Sequence, residues 1–562
     1  MTRTCKCHDS TSPATTPATR RGVLKGIAGL GLAPAAGLLG GGTPRAAAAS
    51  VSLQSGGSTL VVGLDGSPSD FDPHSQYDYR STSVVRSVYE GLVGLKGSST
   101  DEYEGLVAES WSANDDQSVW TFKIRPGLAF QNGTACDAEA VRASFERMIT
   151  LGKGAVEVVR RFVKDPSQMT VKDAQTLEFN LGAPQPLFIA ALASTYGPQV
   201  IDAKGAKAFE EDDDWGNTYL QTNGGDGLGT GGWTVSSFEP GSQVVLARNP
   251  TYWRGWEGNH FDKVVIRVVE EESTMRQLIE AGDVDIIDRF SVQIEAIPAF
   301  QQNDKLTVVL SDSTEVEYMT MTVGGPLASP EARQALAYAF PYQEVLDGVY
   351  KGYGSRANSL IAPSVRGFAK DGFYFPTDLD KAKELLAKAG VAEGTELNVT
   401  MGAGANSVPA ELYQASLAKI GIKLNINKLD QATFTGIFYG DAPADERPNL
   451  MRWSWWPDYN DAWNVLYPTT SCDSWGSKGA NGGFYCNKEF DDLLAQGKDA
   501  STLETYNEVL GKAQAIIAEA DPPVIAVVQP KFPTVMQKSI EGFAFNPINI
   551  GTYDFWSLSR KA

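Results

Sequence analysis

Segment 396–429 constrains the fold most, because it alternates between strand and helix patterns. Residues 396–401 and 423–429 have the patterning of strands, and residues 410–420 between them have that of a helix. Pro409 is well placed at the start of this helix. The order strand, helix, strand predicts an α/β unit with a crossover connection.

The rest of the chain continues this mixed pattern. The chain has 562 residues, which exceeds one ordinary core and predicts two or three domains, and its 42% hydrophobic and 21% charged content is that of a soluble globular protein. Further strands are predicted at 58–63, 120–124, 176–181, 244–248, 261–269, 306–310, 316–323 and 524–529. Helices are predicted at 81–92, 137–151, 273–281, 330–340 and 379–388, with Asp137 capping the second of them.

Residues 1–49 predict an export signal of the twin-arginine type. Arg20 and Arg21 precede a glycine-rich, weakly apolar run at 26–42, which is too short and too rich in glycine for a membrane span. Small residues at 46–49 predict cleavage before Ser50, and no cysteine there offers a lipid anchor. An ordinary Sec signal is the alternative. The mature protein is predicted to be soluble and periplasmic.

The net charge of −20 argues against two classes of partner. Nucleic acids and anionic membrane surfaces repel a chain of this sign. The charge does not identify a ligand.

The cysteines predict one disulfide. Of the five, Cys5 and Cys7 leave with the signal. Cys472 and Cys486 flank a loop rich in glycine, asparagine and serine, and a bond between them in an oxidising compartment would stabilise the fold by roughly 3 kcal/mol. Cys136 is predicted to be a buried free thiol.

A series of short motifs runs in order through nearly the whole mature chain. They lie at 71–73 (Phe-Asp-Pro), 88–92 (Val-Tyr-Glu-Gly-Leu), 106–111, 120–125, 130–133, 138–141, 229–231 (Gly-Thr-Gly), 248–253 (Arg-Asn-Pro-Thr-Tyr-Trp), 282–285, 380–386 and 456–459 (Trp-Pro-Asp-Tyr). Each is weak alone, but together they resemble the family 5 extracellular solute-binding proteins, the peptide, dipeptide and nickel binders of ABC transporters.

The resemblance implies a two-lobed α/β periplasmic binding protein fold of the large, three-subdomain type. Lobe one would comprise 50–312 and 527–562, with an inserted subdomain at about 92–205, and lobe two would comprise 318–523. Hinge strands are expected near 315–322 and 524–529. The chain would then capture a peptide between closing lobes and deliver it, as a monomer, to the membrane permease of an ABC uptake transporter.

Five of the twelve tryptophans lie within 449–475. If 450–456 is a strand, its alternating side chains form two faces. One face, expected to be core, carries Met451, Trp453 and Trp455, and the other carries Arg452, Ser454 and Trp456. In peptide-binding relatives the acid of this Trp-x-Asp motif holds the ligand α-ammonium, and Asp458 matches it beside Trp456. Alternatively, Asp458 only braces the following turn.

The remaining candidate ligand contacts are tyrosines and one further acid. The resemblance places Tyr77, Asp78 and Tyr79 on the lobe-one wall of the cleft, where they would suit a peptide or a sugar. Tyr459, which follows Asp458 in the same motif, is a further candidate. Tyr318 on the hinge and Tyr485 beside Cys486 are weaker ones. The glycine-rich loop around 229–231 could let the backbone approach a ligand closely.

The helix pattern at 408–417 departs from the dipeptide binders. Those relatives place an arginine there to fix the ligand carboxylate, and this chain has none. A strict dipeptide clamp is therefore not expected. Longer peptides and uncharged or cationic ligands remain open.

Catalysis, metal and cofactor sites are not predicted. Only His74 and His260 remain after signal removal, no cysteine–histidine cluster has zinc spacing, and Gly-x-Ser-x-Gly is missing. The alternatives are oligosaccharide binding, favoured by the tryptophans, and a secreted glycosidase, whose carboxylates need no fixed spacing. Nickel binding ranks lowest, because His74 is the only plausible ligand.

Overall fold

The computed structural model describes residues 59–225, 227–498, 500 and 502–561. The predicted signal at 1–49 and the predicted cleavage before Ser50 lie outside these residues. Within them, no helix combines the length and the hydropathy needed to cross a bilayer.

The strands of the described residues are numbered in chain order. They are β1 (Thr59–Leu64), β2 (Val93–Leu95), β3 (Tyr103–Gly105), β4 (Ala108–Ala113), β5 (Val119–Ile124), β6 (Met169–Asp173), β7 (Thr176–Asn180), β8 (Trp233–Glu239), β9 (Gln243–Arg248), β10 (Lys263–Val268), β11 (Ile286–Asp288), β12 (Leu306–Asp312), β13 (Val316–Met321), β14 (Gly354–Arg356), β15 (Glu396–Gly402), β16 (Lys423–Leu429), β17 (Leu450–Trp455), β18 (Val524–Gln537), β19 (Ile540–Glu541) and β20 (Ser559–Arg560).

The α-helices are numbered in the same way. They are α1 (Tyr79–Val88), α2 (Ala138–Leu151), α3 (Val156–Arg160), α4 (Phe188–Leu192), α5 (Ala203–Ala206), α6 (Asn217–Asn223), α7 (Glu272–Ala281), α8 (Ile297–Gln302), α9 (Pro330–Ala339), α10 (Tyr342–Val345), α11 (Leu379–Lys388), α12 (Val408–Ala418), α13 (Gln431–Phe438), α14 (Trp463–Thr470), α15 (Lys488–Lys498) and α16 (Leu503–Ala515).

A twelve-stranded sheet is the central element of the described structure. Its strands follow the order β16-β15-β17-β13-β18-β11-β1-β10-β9-β8, and β12 and β14 also pair with β18. The predicted α/β unit is confirmed, because β15 and β16 pair in parallel and α12 connects them.

Strand β18 joins the two halves of this sheet. The first half contains β1 and β8 to β12, from residues 59–312, and the second half contains β13 to β17, from the part of the chain that starts at residue 316 and precedes β18. Its first part pairs with β13 and β14, and its second part pairs with β11 and β12. The change falls between Pro530, which lies opposite Gly354, and Lys531, which lies opposite Asp312. The two strands expected as hinges, β13 and β18, are therefore neighbours where the sheet passes from one half to the other.

A separate four-stranded sheet, in the order β4-β5-β7-β6, lies within the segment predicted as an inserted subdomain. Helix α2 packs on it, with Phe145 against Phe179 at a centroid distance of 5.2 Å. Asp137 caps α2 as predicted, accepting the N–H of Ala140. The apolar cluster around this sheet continues into residues of 316–524, so the inserted segment and the second half share a packed surface.

Three of the family motifs meet at the buried carboxylate of Glu90. It accepts hydrogen bonds from Thr230 Oγ1 (3.0 Å), Tyr252 Oη (2.8 Å) and Trp253 Nε1 (2.9 Å). Burial raises the pKa of Glu90, and these bonds offset part of the rise. The motifs at 88–92, 229–231 and 248–253 are thus tied together inside the fold.

The glycines at 229–231 pack against protein backbone. A Cβ on Gly229 would lie 2.0 Å from the carbonyl oxygen of Val88, and one on Gly231 would lie 2.3 Å from that of Ser87. The expected close approach is therefore to the end of α1 and not to a ligand, and only glycine leaves room for it.

Cys472 and Cys486 form the predicted disulfide, with Cα atoms 4.5 Å apart, and Cys136 is a buried free thiol. The backbone N–H of Cys472 also donates to the Asp491 carboxylate at 3.2 Å. The bridge closes the loop that follows α14 and holds it to α15.

Candidate functional site

Asp458 lies in the loop between β17 and α14, just after Pro457. Its side chain is 6% exposed. One carboxylate oxygen accepts Tyr77 Oη at 3.0 Å, and the other accepts Asn464 Nδ2 at 3.2 Å. Asn464 also accepts the backbone N–H of Asp458, so this asparagine holds both the loop and the carboxylate in place.

The Asp458 carboxylate lies where ionisation is costly. Burial raises the pKa of Asp458 to about 6, although the hydrogen bonds from Asn464 and Tyr77 lower it in part. In the described part of the chain no cationic side chain contributes to this balance or pairs with the carboxylate. A buried carboxylate without a cation is a favourable acceptor for a positively charged ligand group.

Tyr77 reaches Asp458 from the other half of the molecule, 381 residues earlier in the chain. Its ring packs edge-on against Tyr196 at 4.8 Å, and the residue as a whole is 44% exposed. The hydroxyl is therefore engaged by Asp458, while part of the residue remains exposed.

The next two candidates make contacts within the fold. Asp78 caps the helix by accepting the N–H of Ser81. Tyr79 donates to Asp65 at 2.6 Å, and its ring stacks on Phe290 at 4.0 Å. Neither side chain contacts Asp458 in the described structure.

The two faces of β17, the strand before Asp458, make different contacts. On the predicted core face, Trp453 stacks on Phe438 of α13 at 4.1 Å. The opposite face carries Arg452, which pairs with Glu317 at 2.5 Å. Beyond the end of the strand, the centroid of the Trp456 ring lies 6.3 Å from that of Phe290, the ring that also stacks on Tyr79.

Two polar groups on the Trp453 face have no hydrogen-bond partner among the described residues. They are the hydroxyl of Tyr318 and the indole N–H of Trp455. Tyr318 lies opposite Trp453 in the β13–β17 register, and Trp455 lies two residues further on the same face. Unpaired buried groups are rare in proteins, and a ligand that accepts hydrogen bonds would satisfy them.

Tyr459 and Tyr485 have hydrogen-bond or ring contacts of their own within the fold. Tyr459 is buried, and its hydroxyl accepts Arg161 Nη1 at 2.6 Å. Tyr485 is buried beside the disulfide, with its ring near Phe490. Of the eight predicted residues, the structure joins Asp458 to Tyr77 by a hydrogen bond, and it brings Trp456 to Tyr196, the ring against which Tyr77 packs.

Sequence reasoning did not single out four residues of this region as candidates for the site. Tyr196 and Tyr439 lie close enough for its charge, after burial, to raise their pKa values. Asn464 holds the loop, and Trp455 belongs to the face that was expected to be core. The first three lie in no distinctive motif, so only the folded structure reveals them.

His74 is committed to the fold. Its two ring nitrogens lie 3.0 Å from Gln199 O and 3.0 Å from Arg147 Nη1, and burial lowers its pKa to about 3. In this arrangement neither nitrogen is free to bind nickel. Among the described residues, the one group with metal-ligand spacing contains Cys472, Cys486 and Asp491, and its sulfurs are bonded to each other.

Comparisons with known proteins agree with this architecture. The probable D,D-dipeptide-binding periplasmic protein DdpA of Escherichia coli K12 is 29% identical over 511 residues, covering 89% of this chain and 94% of the relative. The glutathione-binding protein GsiB of the same strain is 26% identical, covering 87% and 92%.

Solved structures show the same two-lobed α/β fold. DppA from Helicobacter pylori, in complex with the peptide STSA, superposes with a TM-score of 0.78 at 23% identity, over 90% of this chain and 98% of that one. AppA from Bacillus subtilis, in complex with a nonapeptide, gives 0.76 at 20% identity, over 90% and 99%.

The signature of bacterial extracellular solute-binding proteins, family 5 (middle region), matches residues 102–477, more than half of the chain. The chain therefore belongs to this family. It is a substrate-binding protein of an ABC transporter and not an enzyme, which sets the glycosidase alternative aside.

Proposed function

We propose that this protein captures peptides outside the cytoplasm, oligopeptides in preference to dipeptides, and delivers them to an ABC permease. Residues 50–312 and 527–562 would form lobe one, with the inserted subdomain at 92–205, and residues 318–523 would form lobe two. The protein would act as a monomer in the periplasm, without a lipid anchor.

The observation that carries this proposal is the buried Asp458 carboxylate, which has no cationic partner in the described chain. A peptide offers an α-ammonium group to such an acceptor. The same peptide offers backbone carbonyls to the unpaired Tyr318 hydroxyl and Trp455 indole, and apolar surface to Trp456. These features favour a peptide over an oligosaccharide, which carries no cation.

The second lobe supports the preference for longer peptides. Helix α12 contains no arginine that could fix the carboxylate of a dipeptide. A longer peptide can be held through its backbone, with its carboxylate placed elsewhere. Relatives and structural neighbours include binders of dipeptides, glutathione and a nonapeptide, so the fold accommodates a range of lengths.

Native mass spectrometry of the freshly purified mature protein tests the proposal. A bound species whose mass and fragments identify a peptide with a free amine is the expected result. An oligosaccharide or a metal chelate would contradict it.

We expect export to depend on the paired arginines. Changing both Arg20 and Arg21 to lysine should abolish periplasmic accumulation, because the twin-arginine pathway requires the pair. Arg45→Lys in the same leader is the matched control and should be exported normally, with a mature N-terminus near Ser50. Normal export of the double variant would show that the Sec route is used.

We expect peptide affinity to fall in acid. Only ionised Asp458 can pair with an ammonium group, and its pKa in the unliganded protein is about 6. The affinity should be nearly constant above pH 7 and about tenfold lower at pH 5, since protonation then competes with the ligand. Calorimetric titration with the recovered peptide measures this, and Asp458→Asn should show a flat profile. A flat wild-type profile would contradict the prediction.

A further inference from the structure

Residues 458–463, the loop after β17 with the first residue of α14 and called loop 458–463 below, are contacted at three points by residues of the first half. Tyr77 donates to Asp458, and Asn460 Nδ2 donates to the carbonyl oxygen of Thr100 at 3.3 Å. The third contact comes from Arg161, the residue that follows α3 in the inserted segment. The loop that carries Asp458, the candidate ligand acceptor, therefore also contacts the inserted segment.

Arg161 makes the most extensive of these contacts. Its Nη1 donates to Tyr459 Oη at 2.6 Å, and its guanidinium lies 3.8 Å from the centroid of the Trp463 ring. The adjacent Phe162 lies 6.4 Å from the Tyr459 ring. A desolvated guanidinium stacked on tryptophan is among the stronger contacts available to an arginine.

The charge of Arg161 has no carboxylate in direct contact within the described residues, and its Nε has no hydrogen-bond partner there. The nearby Asp461 is completely buried, and burial raises its pKa, although the charge of Arg161 and the Tyr506 hydroxyl offset part of the rise. Arg161 thus complements the aromatic and acidic side chains of loop 458–463. If the two halves moved apart, these side chains would lose their contact with the guanidinium.

We infer that Arg161 is a positioning residue that latches the lobes closed through Tyr459 and Trp463, independently of the ligand. This inference rests on the proposed function only in taking lobe closure as the step that encloses the ligand. This contact raises the closed fraction of the free protein. A ligand that binds the closed form then spends less of its binding free energy on closing the lobes.

The test measures lobe separation in the ligand-free protein. Spin labels are attached at Asp115→Cys in the inserted segment and at Lys419→Cys in the second half. Double electron–electron resonance then gives the distribution of distances between the two labels. Both positions are exposed, whereas the native thiol of Cys136 is buried. The variants are Arg161→Ala, Arg161→Lys and the control Arg160→Ala, whose arginine pairs with Glu157 in the same helix.

Arg161→Ala should raise the ratio of open to closed molecules at least tenfold, about 1.4 kcal/mol. Arg161→Lys should lie between wild type and alanine, because an ammonium keeps the charge but loses the planar stacking. Arg160→Ala should match wild type.

A distance distribution unchanged by Arg161→Ala, or a free wild-type protein that is wholly open, overturns the latch. If Arg161→Ala does not fold, Arg161→Lys decides between the same outcomes. Because no ligand is present, the measurement stands whether or not the proposed peptide ligand is correct.

Discussion

Replacing Asp458 with alanine is expected to lower peptide affinity by about two to four decades. The ligand ammonium would remain in a dry cleft without its partner, and breaking a buried charge pair costs roughly 3–5 kcal/mol. Asp458→Asn keeps the shape and an accepting oxygen, so a smaller loss is expected. Calorimetric titration with the peptide recovered from the wild-type protein measures both variants.

Two controls separate binding from folding in this experiment. The thermal unfolding of both Asp458 variants should remain close to wild type, because the buried carboxylate makes no ion pair within the described residues. Asp445→Ala, in the exposed turn before β17, should bind as wild type does. If Asp458→Ala binds within about threefold of wild type, under ~0.7 kcal/mol, Asp458 only braces its turn and the oligosaccharide alternative gains.

Arg147→Met is expected to lower the free energy of unfolding by roughly 3–5 kcal/mol. Arg147 and Asp72 are completely buried, and Arg147 contacts both carboxylate oxygens, at 2.8 and 2.5 Å. Burial alone would raise the pKa of Asp72, but the bonds and charge of Arg147 hold it below its ordinary value. Removing the arginine leaves a buried carboxylate held by Asn217 and uncompensated in charge.

Chemical denaturation followed by tryptophan fluorescence measures this loss. Arg142→Met on the same helix is the matched control, since Arg142 pairs with the partly exposed Glu139 and Glu146 and its replacement should cost about 0–1 kcal/mol. Asp72→Leu combined with Arg147→Met should recover much of the loss, because it buries no charge. An Arg147→Met protein as stable as the Arg142→Met control would contradict this account.

The ion pair also makes stability depend on pH. Since the folded pKa of Asp72 is depressed, the contribution of Asp72 to the free energy of unfolding is present at neutral pH and is lost as the pH falls through that folded pKa.

Local patterns in the sequence predicted the elements well where local forces decide them. Helix α11 and strand β16 have the predicted bounds, and Asp137 caps α2. Strand β18 was predicted to end at 529, yet it continues to Gln537 through Pro530 and Pro533. Proline lacks the N–H that a strand interior donates, so the sequence argues for a stop there. The strand continues because its partners change beside Pro530.

Distant contacts account for most of what the sequence did not reveal. Helix α1 ends at Val88 and not at 92, because Glu90 is drawn into the buried contacts with Thr230 and Tyr252. Asp458 and Tyr77 were each predicted from a motif, but their hydrogen bond joins residues 381 positions apart. No local signal marks Arg161 as a neighbour of Tyr459.

The central claim is that Asp458 receives the free ammonium of a peptide. The most direct measurement titrates the recovered peptide and its N-acetylated form into wild-type protein and into Asp458→Ala. Acetylation removes the cation, so it should weaken binding to wild type by at least about a hundredfold, ~2.7 kcal/mol, and should change binding to Asp458→Ala by less than about threefold. Equal losses in the two proteins, or wild-type affinity that acetylation leaves unchanged, would contradict the claim.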